Sequence, residues 1–410
     1  MNACGRATPP PEPGDPALHA PPRYRKACEH DAFLPDTLDG LQLSLDGSLV
    51  GLIGEAEAQI AALNATSGPA LAPLARLLLR TGSIASSKVE GLQVDARTLA
   101  RAEVATDTGA RIGADAAEIL ANVDAIQHAI EIATAHRKLM PQHLKDIHEV
   151  LMARTPIADR AGRFRTTQGW IGGNDHNPCG ADFVPAPEDE IRSLMRDLCR
   201  FVDRADLSPI VQAAIAHARF GTIHPFDDGN GRTGRALVQV ILRRCGLAPT
   251  FVPPISVVLA AAKDRYVRGL TRFRRDDHPA AWLEVFAAAT SRATDLARGY
   301  LVEVGRLQEL WRRQLAAAAD PRSDAAAWVI IEVLPGFPVV TVSVAVDALE
   351  GSGRRRARAA VQLGISSSSM RVSCSRLVPR SGTGRGKRRA CWGSCRGSKR
   401  GRRRRTAPTG

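Results

Sequence analysis

Between Ser208 and Gly246 the chain reads as two apolar helices joined by a loop whose residues suit a ligand better than a packing turn. Ser208 and Pro209 open the first helix, because a serine hydroxyl caps free amides and proline fits the first turn. In IVQAAIAHARFGTI, the residues Ile210, Ala214, Ile215, Ala218 and Ile223 recur at helical spacing and form one apolar face. The loop His224-Pro225-Phe226-Asp227-Asp228-Gly229-Asn230-Gly231 follows. A second helix begins near Arg232 and stops at Gly246. Gly229 and Gly231 permit positive φ and close approach of a ligand to the backbone. Successive amides at a helix start form an anion site. Arg232 and Arg235, three residues apart, share one side of that start, and guanidinium groups bind phosphate as forks. The Asp228 carboxylate is a hard oxygen donor suited to Mg²⁺. His224, at the loop entrance, carries a side chain that accepts a proton near neutral pH. A polyphosphate cradle, a metal ligand and a base within the twelve residues 224–235 describe nucleotidyl or phosphoryl transfer.

Composition narrows the setting. Of 410 residues, 44% are hydrophobic and 24% charged, the balance of a soluble globular chain. No apolar run reaches the ~18 residues of a membrane span. The Pro-rich start MNACGRATPPPEPGDP lacks the apolar stretch of a secretory signal, so residues 1–30 read as a disordered leader and the expected location is the cytoplasm. The net charge of +14 belongs to the C-terminus: residues 351–410 hold 18 Lys and Arg and no acid, leaving 38 basic against 42 acidic residues in 1–350. A basic field for nucleic acid is therefore not a property of the main body. The eight cysteines show no paired metal spacing, and reduced, structural thiols are expected. A helical N-terminal region spans 31–135, a catalytic region 136–295, and a linker helix with a partial winged helix 296–363. The basic tail 364–410 lacks an apolar face and is expected to be disordered. Strand signal is sparse: TTQGWIGG at 166–173 and ADFV at 181–184 flank a turn-rich segment and suggest one small β-hairpin in a mainly α fold.

The segment HPFDDGNGRTGR at 224–235 resembles the Fic-family signature H-P-F-x-[DE]-G-N-G-R-x-x-R at every defined position. AGRFRTTQGWIGG at 161–173 and FVPAPEDEIRSLMRDLCRFV at 183–202 resemble that family's flap hairpin and the helix after it, and the resemblance covers about 27–345. It implies a helical Fic domain with a hairpin flap, a helical N-terminal region and an incomplete C-terminal winged helix. It implies AMP transfer from ATP, with Mg²⁺, to a Tyr, Thr or Ser hydroxyl of a target protein. His224 would be the general base and Asp228 the metal ligand. Gly229, Asn230, Gly231, Arg232, Thr233, Gly234 and Arg235 would form the nucleotide cradle, and Phe226 would anchor the loop by packing. Ile171, Gly172, Gly173 and Asn174 would be the flap edge that clamps the target and touches the nucleotide, and Tyr266 would lie by the adenine.

Ser86-Ser87-Lys88-Val89-Glu90-Gly91 resembles the inhibitory pattern [ST]-x-x-x-E-[GN] of the same family. Ser86 and Glu90 are spaced i,i+4 and share a helix face. The resemblance implies that Glu90 pairs with Arg235 and keeps ATP from an attackable pose. Three alternatives stay open. Doc-type relatives phosphorylate, but carry A-N-K where this chain has Gly229-Asn230-Gly231. Hydrolytic removal of AMP, with Glu90 positioning water, is a second. A DNA-binding regulator using 323–363, with Arg354, Arg355, Arg356 and Arg358 on phosphates, is a third. The sequence also leaves open a homodimer.

Overall fold

In the computed structural model the chain runs through β1 (Asn2–Ala7), β2 (Glu29–Leu34), α1 (Gly47–Ala65), α2 (Leu71–Val89), α3 (Ala96–Asp107), α4 (Ala114–Ala135) and α5 (Pro141–Met152). It continues through α6 (Ile191–Val202), α7 (Pro209–Ile223), α8 (Asn230–Arg244), α9 (Ile255–Ala261) and α10 (Lys263–Arg275). The last elements are α11 (Ala280–Ala319), α12 (Ala326–Val333) and α13 (Val342–Gly351). The structure describes residues 2–7, 20–25, 29–65, 71–107, 109–275, 279–319, 322–323, 325–337, 339–351 and 361. They fall in one contact unit, 1–370. No helix among them is long and apolar enough to cross a membrane.

The fold is built around α7. The expected face of Ile210, Ala214, Ile215, Ala218 and Ile223 is buried, and so are Gln212, His217 and Thr222 on the other faces. A helix apolar on nearly all sides belongs in the middle of a domain. Gln212 donates to the Phe201 and Arg204 carbonyls at 3.0 and 2.9 Å, closing the end of α6. The start of α7 is capped as expected, with Ser208 Oγ accepting from the Val211 amide. Glu57 of α1 adds a carboxylate there, accepting from Ser208 Oγ at 2.6 Å and the Ile210 amide at 3.2 Å. On another side Trp282 of α11 is fully buried, donates to the Ala214 carbonyl at 2.8 Å, and packs on the Tyr266 and Phe286 rings. Gly269 makes room for it, since a Cβ there would lie 2.9 Å from the indole.

The flap, expected as a hairpin, is reduced to one antiparallel bridge, Ile171 with Phe183. Paired glycines at positive φ, Gly172 and Gly173, end the pairing there. The expected leader is also corrected in part. Residues 2–7 form an antiparallel pair with 29–34, because ladder hydrogen bonds need backbone groups and not a favourable composition. The Phe33 amide donates to the Val184 carbonyl at 2.9 Å, so β2 lies along one arm of the flap. Cys179 is disulfide-bonded, against the expectation of reduced thiols, whereas Cys199 and Cys245 are free.

At the C-terminal end α12 and α13 meet through Val329, Ile330, Ala345 and Leu349, with Val361 added to the same small cluster. Both helices fall in the segment 296–363 where a partial winged helix was expected, and their packing alone does not define one. Its strands, Arg354 to Arg358 and the 364–410 tail lie outside the described residues.

Trp282→Ala removes the largest fully buried side chain and should cost about 3–5 kcal/mol. Urea unfolding followed by circular dichroism checks this, and a loss below about 1 kcal/mol would mean the α7–α11 contact is not central.

Candidate active site

The loop between α7 and α8 has no regular structure of its own, and side chains hold its backbone. His224 ends α7 in the left-handed region at φ 50°, the one non-glycine residue with positive φ among the described residues. Such a conformation persists only where the surroundings enforce it. Arg165 enforces it: its Nε donates to the His224 carbonyl at 2.9 Å, and its backbone amide to the Pro225 carbonyl at 2.9 Å. The same guanidinium donates to the Thr167 carbonyl at 2.9 Å and to the Ala186 carbonyl, so one buried arginine joins the flap base to the loop. Asn230 clamps the middle, donating to the Phe226 carbonyl at 2.8 Å and accepting its amide at 3.0 Å. Phe226 is fully buried and stacks on His148 with ring centroids 3.7 Å apart, the packing role expected of it. His148 accepts the Gly162 amide on Nδ1 at 3.0 Å and donates from Nε2 to the Asp228 carbonyl at 3.0 Å.

Beyond this framework α8 begins. Gly229, at φ 72°, is its N-cap, and the Thr233 amide makes the first helical bond to the Gly229 carbonyl at 2.9 Å. The amides of Asn230, Gly231 and Arg232 therefore have no partner within the helix and form its positive end. The Asp228 carboxylate accepts the Gly229 amide at 2.6 Å and is 63% exposed at the mouth. Thr233 and Gly234 face inward. Thr233 is fully buried, and Gly234 lets the His217 ring approach to where a Cβ would lie 3.1 Å away. They support the cradle from behind.

The two arginines are both buried and both held by carboxylates. Arg235 donates from Nε to Ser86 Oγ at 2.8 Å, and from Nη2 to the Ser86 carbonyl at 2.9 Å and Glu90 Oε1 at 2.7 Å. The expected Glu90–Arg235 pair is thus present, with Ser86 as its second hold. Glu90 also lies directly over the helix start: a Cβ on Gly231 would be 2.1 Å from its Oε1. Arg232 donates to Glu118 Oε2 at 3.3 Å and lies 3.7 Å from Asp228 Oδ2. The end of α2 that carries Glu90 is fixed by Lys263, which donates to the Val89 carbonyl at 2.6 Å. Asn122 of α4 fixes it further by donating to the Ser83 carbonyl and Ser87 Oγ at 3.0 and 3.1 Å.

Two expected contacts are placed elsewhere. Tyr266 is buried, its hydroxyl bonded to His217 Nε2 at 2.8 Å and accepting from Arg235 at 3.4 Å. It orients Arg235 from the core and has no face open to a base. The Asn174 side chain accepts the His176 and Asn177 amides at 2.8 and 3.0 Å and donates to the Cys179 carbonyl at 3.0 Å. It builds the flap turn, an Asx arrangement, and is not free for a nucleotide. Gly172 and Gly173 are exposed, and Ile171 is half-buried, as an edge requires.

Burial pushes the half-buried His224 imidazole down to about 4, helped by the Arg165 and Arg274 charges, so at neutral pH it is the unprotonated form that can take a proton. Burial likewise lowers His148 to about 4 and His217 to about 3. Arg165, His148 and Glu118 were not singled out from sequence. A signal existed for His148, which sits at helical spacing within the apolar stripe Leu144, Ile147 and Leu151 of α5.

A left-handed histidine, a side-chain-pinned loop and an amide-lined helix start, set in a mainly helical domain, match a Fic-type fold. Residues 138–242 match the Fic/DOC family model and residues 50–131 the Fic/DOC family N-terminal model. A protein adenylyltransferase fic-1 of Caenorhabditis elegans is 30% identical over 125 residues, 30% of this chain and 23% of the relative. A protein adenylyltransferase Fic of Nematostella vectensis is 42% identical over 94 residues, 22% of this chain and 20% of the relative. The chain thus spans about a fifth of the length of these curated relatives. Among solved structures, a Fic family protein from Desulfovibrio desulfuricans G20 superposes with a TM-score of 0.51 at 22% identity, over 80% of this chain and 90% of that one. Fic-1 of C. elegans superposes with a TM-score of 0.50 at 18% identity, over 62% and 73%. At these identities the two structures speak to the fold. The chain carries a Fic/DOC domain at 138–242, preceded by that family's N-terminal segment at 50–131.

The lowered histidines set the acid stability. Each binds a proton in the unfolded chain near pH ~6.5 but not in the fold until pH ~4 or below. The stability they contribute is complete above ~6.5 and is lost as pH falls through ~4. Thermal midpoints should therefore fall from pH 6.5 to 4.5, and the fall should be shallower in His148→Gln. Equal slopes in both proteins would count against a neutral, buried His148.

Proposed function

We propose that this chain transfers AMP from ATP to a hydroxyl side chain of a protein, and that Glu90 holds it inactive. The observation that carries the reading is the occupation of the α8 start by Glu90. A carboxylate lies where the amides and Arg235 would receive an anion, closer than any residue but Gly231 would allow. The names of the relatives agree with the chemistry, since both are called protein adenylyltransferases.

With Glu90 withdrawn, the free amides of Asn230, Gly231 and Arg232 meet the phosphates, and Arg235 is released to the terminal one. This orients the chain of phosphates along the positive end of α8. His224 Nε2 or Nδ1 takes the proton from the target hydroxyl, whose oxygen attacks the α-phosphorus. The bond between the α-phosphorus and the α,β-bridging oxygen breaks, and pyrophosphate leaves with that oxygen, held by the cradle amides and arginines. The negative charge that develops is met by preorganised donors. An exposed carboxylate fixed by an amide, as Asp228 is, suits a cation that keeps most of its ligands on phosphate and water. Among the described residues no cluster of three metal-ligating side chains adds to it. When bound, Mg²⁺ supplies charge neutralisation to the phosphate oxygens. On the target side, β2 takes the Val184 arm of the flap, so strand addition falls to the Ile171–Gly173 arm.

The test is incubation with α-labelled ATP, Mg²⁺ and cell lysate. Glu90→Gly should raise label transfer to protein well above that of the unaltered chain. His224→Ala in that background should lower it about 10²–10⁴-fold, the scale of a lost general base, with ATP still bound. Transfer that survives loss of His224, or that is unmoved by loss of Glu90, contradicts the respective assignment.

A further inference from the structure

The Arg232 guanidinium is 3% exposed and touches two carboxylates of different kinds. Glu118 of α4 is 19% exposed, lies 3.3 Å away, and is pointed inward. Asp228 is 63% exposed, lies 3.7 Å away, and already accepts the Gly229 amide. On the remaining side Met152 Sδ lies 3.9 Å from Nη2, and Nε is buried without a hydrogen-bond partner. A buried guanidinium needs an anion beside it, because an uncompensated charge at this depth is strongly unfavourable. If Asp228 were the one neighbour, it would be drawn onto Arg232 and lost to the mouth of the site.

α4 is a rigid mount for this contact. Ala116, Ile119 and Leu120 pack it against α3, and one turn beyond Glu118 the Asn122 amide is bonded into α2. Arg232 has five donors, so it can keep Glu118 and still offer a fork to phosphate. Glu118 differs in this from Glu90, whose carboxylate overlies Gly231 and competes for the ligand's own place. We propose that Glu118 is a positioning residue of the nucleotide site: by holding the Arg232 guanidinium it leaves the Asp228 carboxylate available to the divalent cation that accompanies ATP. This rests on the reading of the cradle as an ATP site.

The experiment is calorimetric titration of ATP into the full chain carrying Glu90→Gly, once with excess Mg²⁺ and once with EDTA. It is repeated with Glu118→Ala and with the isosteric Glu118→Gln added. The factor by which Mg²⁺ tightens ATP binding should shrink about tenfold in Glu118→Ala, the lower end of what outer-shell partners of a metal ligand carry, and by less in Glu118→Gln. A purely structural role would weaken both titrations alike and leave that factor unchanged, which overturns the proposal. Tighter Mg²⁺–ATP binding in Glu118→Ala also overturns it, by making Glu118 a second competitor. Should the Glu90→Gly chain with Glu118 intact take up no ATP at all, the nucleotide reading itself falls, a result distinct from an unchanged factor.

Discussion

A loop with no ladder or helix of its own must have its backbone polar groups satisfied by side chains, and the rest of this site depends on how that is done. Arg165, Asn230 and His148 between them engage the carbonyls of His224, Phe226 and Asp228. Each comes from a different element: the flap base, the start of α8, and α5. The loop backbone is therefore fixed from three directions, with Arg165 holding the left-handed turn at His224. Its imidazole is placed by the fold and not by its own conformational preference. Because Arg165 also holds two flap carbonyls, the surface that would grip a target and the base that would deprotonate it share one rigid part.

Two helix ends face each other across the cradle. α8 presents its amino end, and α2 arrives with its carboxyl end, carrying Ser86 and Glu90. The partial charges of the two ends are opposite, so they attract without any side chain. Lys263 and Arg235 reinforce the arrival by donating to the Val89 and Ser86 carbonyls. On the proposed reading, inhibition would draw on the helix terminus as well as on the Glu90 carboxylate, its foremost group.

Much of this was written in local sequence. Apolar spacing marked α7, the stop at Gly246 marked the end of α8, glycine spacing marked the cradle, and the i,i+4 relation of Ser86 and Glu90 marked a shared face. What local sequence could not carry was partnership across the chain. Arg165 and Glu118 look like surface charges until α7 and α4 bring them against a loop and an arginine far away in number. Tyr266 and Asn174 show the converse. Their chemistry suited a nucleotide, but a hydroxyl and an amide have several uses, and the core and the flap turn claimed them. The pairing of residues 2–7 was invisible because their composition has no strand preference and the ladder is made by backbone alone.

The missing side chain at Gly231 has a consequence for how this protein can change over generations. The same bare backbone admits Glu90 in the resting form and would admit phosphate in the working one. A larger residue there would expel the carboxylate, but would equally spoil the seat it guards. If Glu90 inhibits as proposed, release by substitution at Gly231 would therefore be closed. Variants that run unrestrained would then arise at Glu90, just past the end of α2, or in the turn that delivers it, where the guard can be lost and the seat kept.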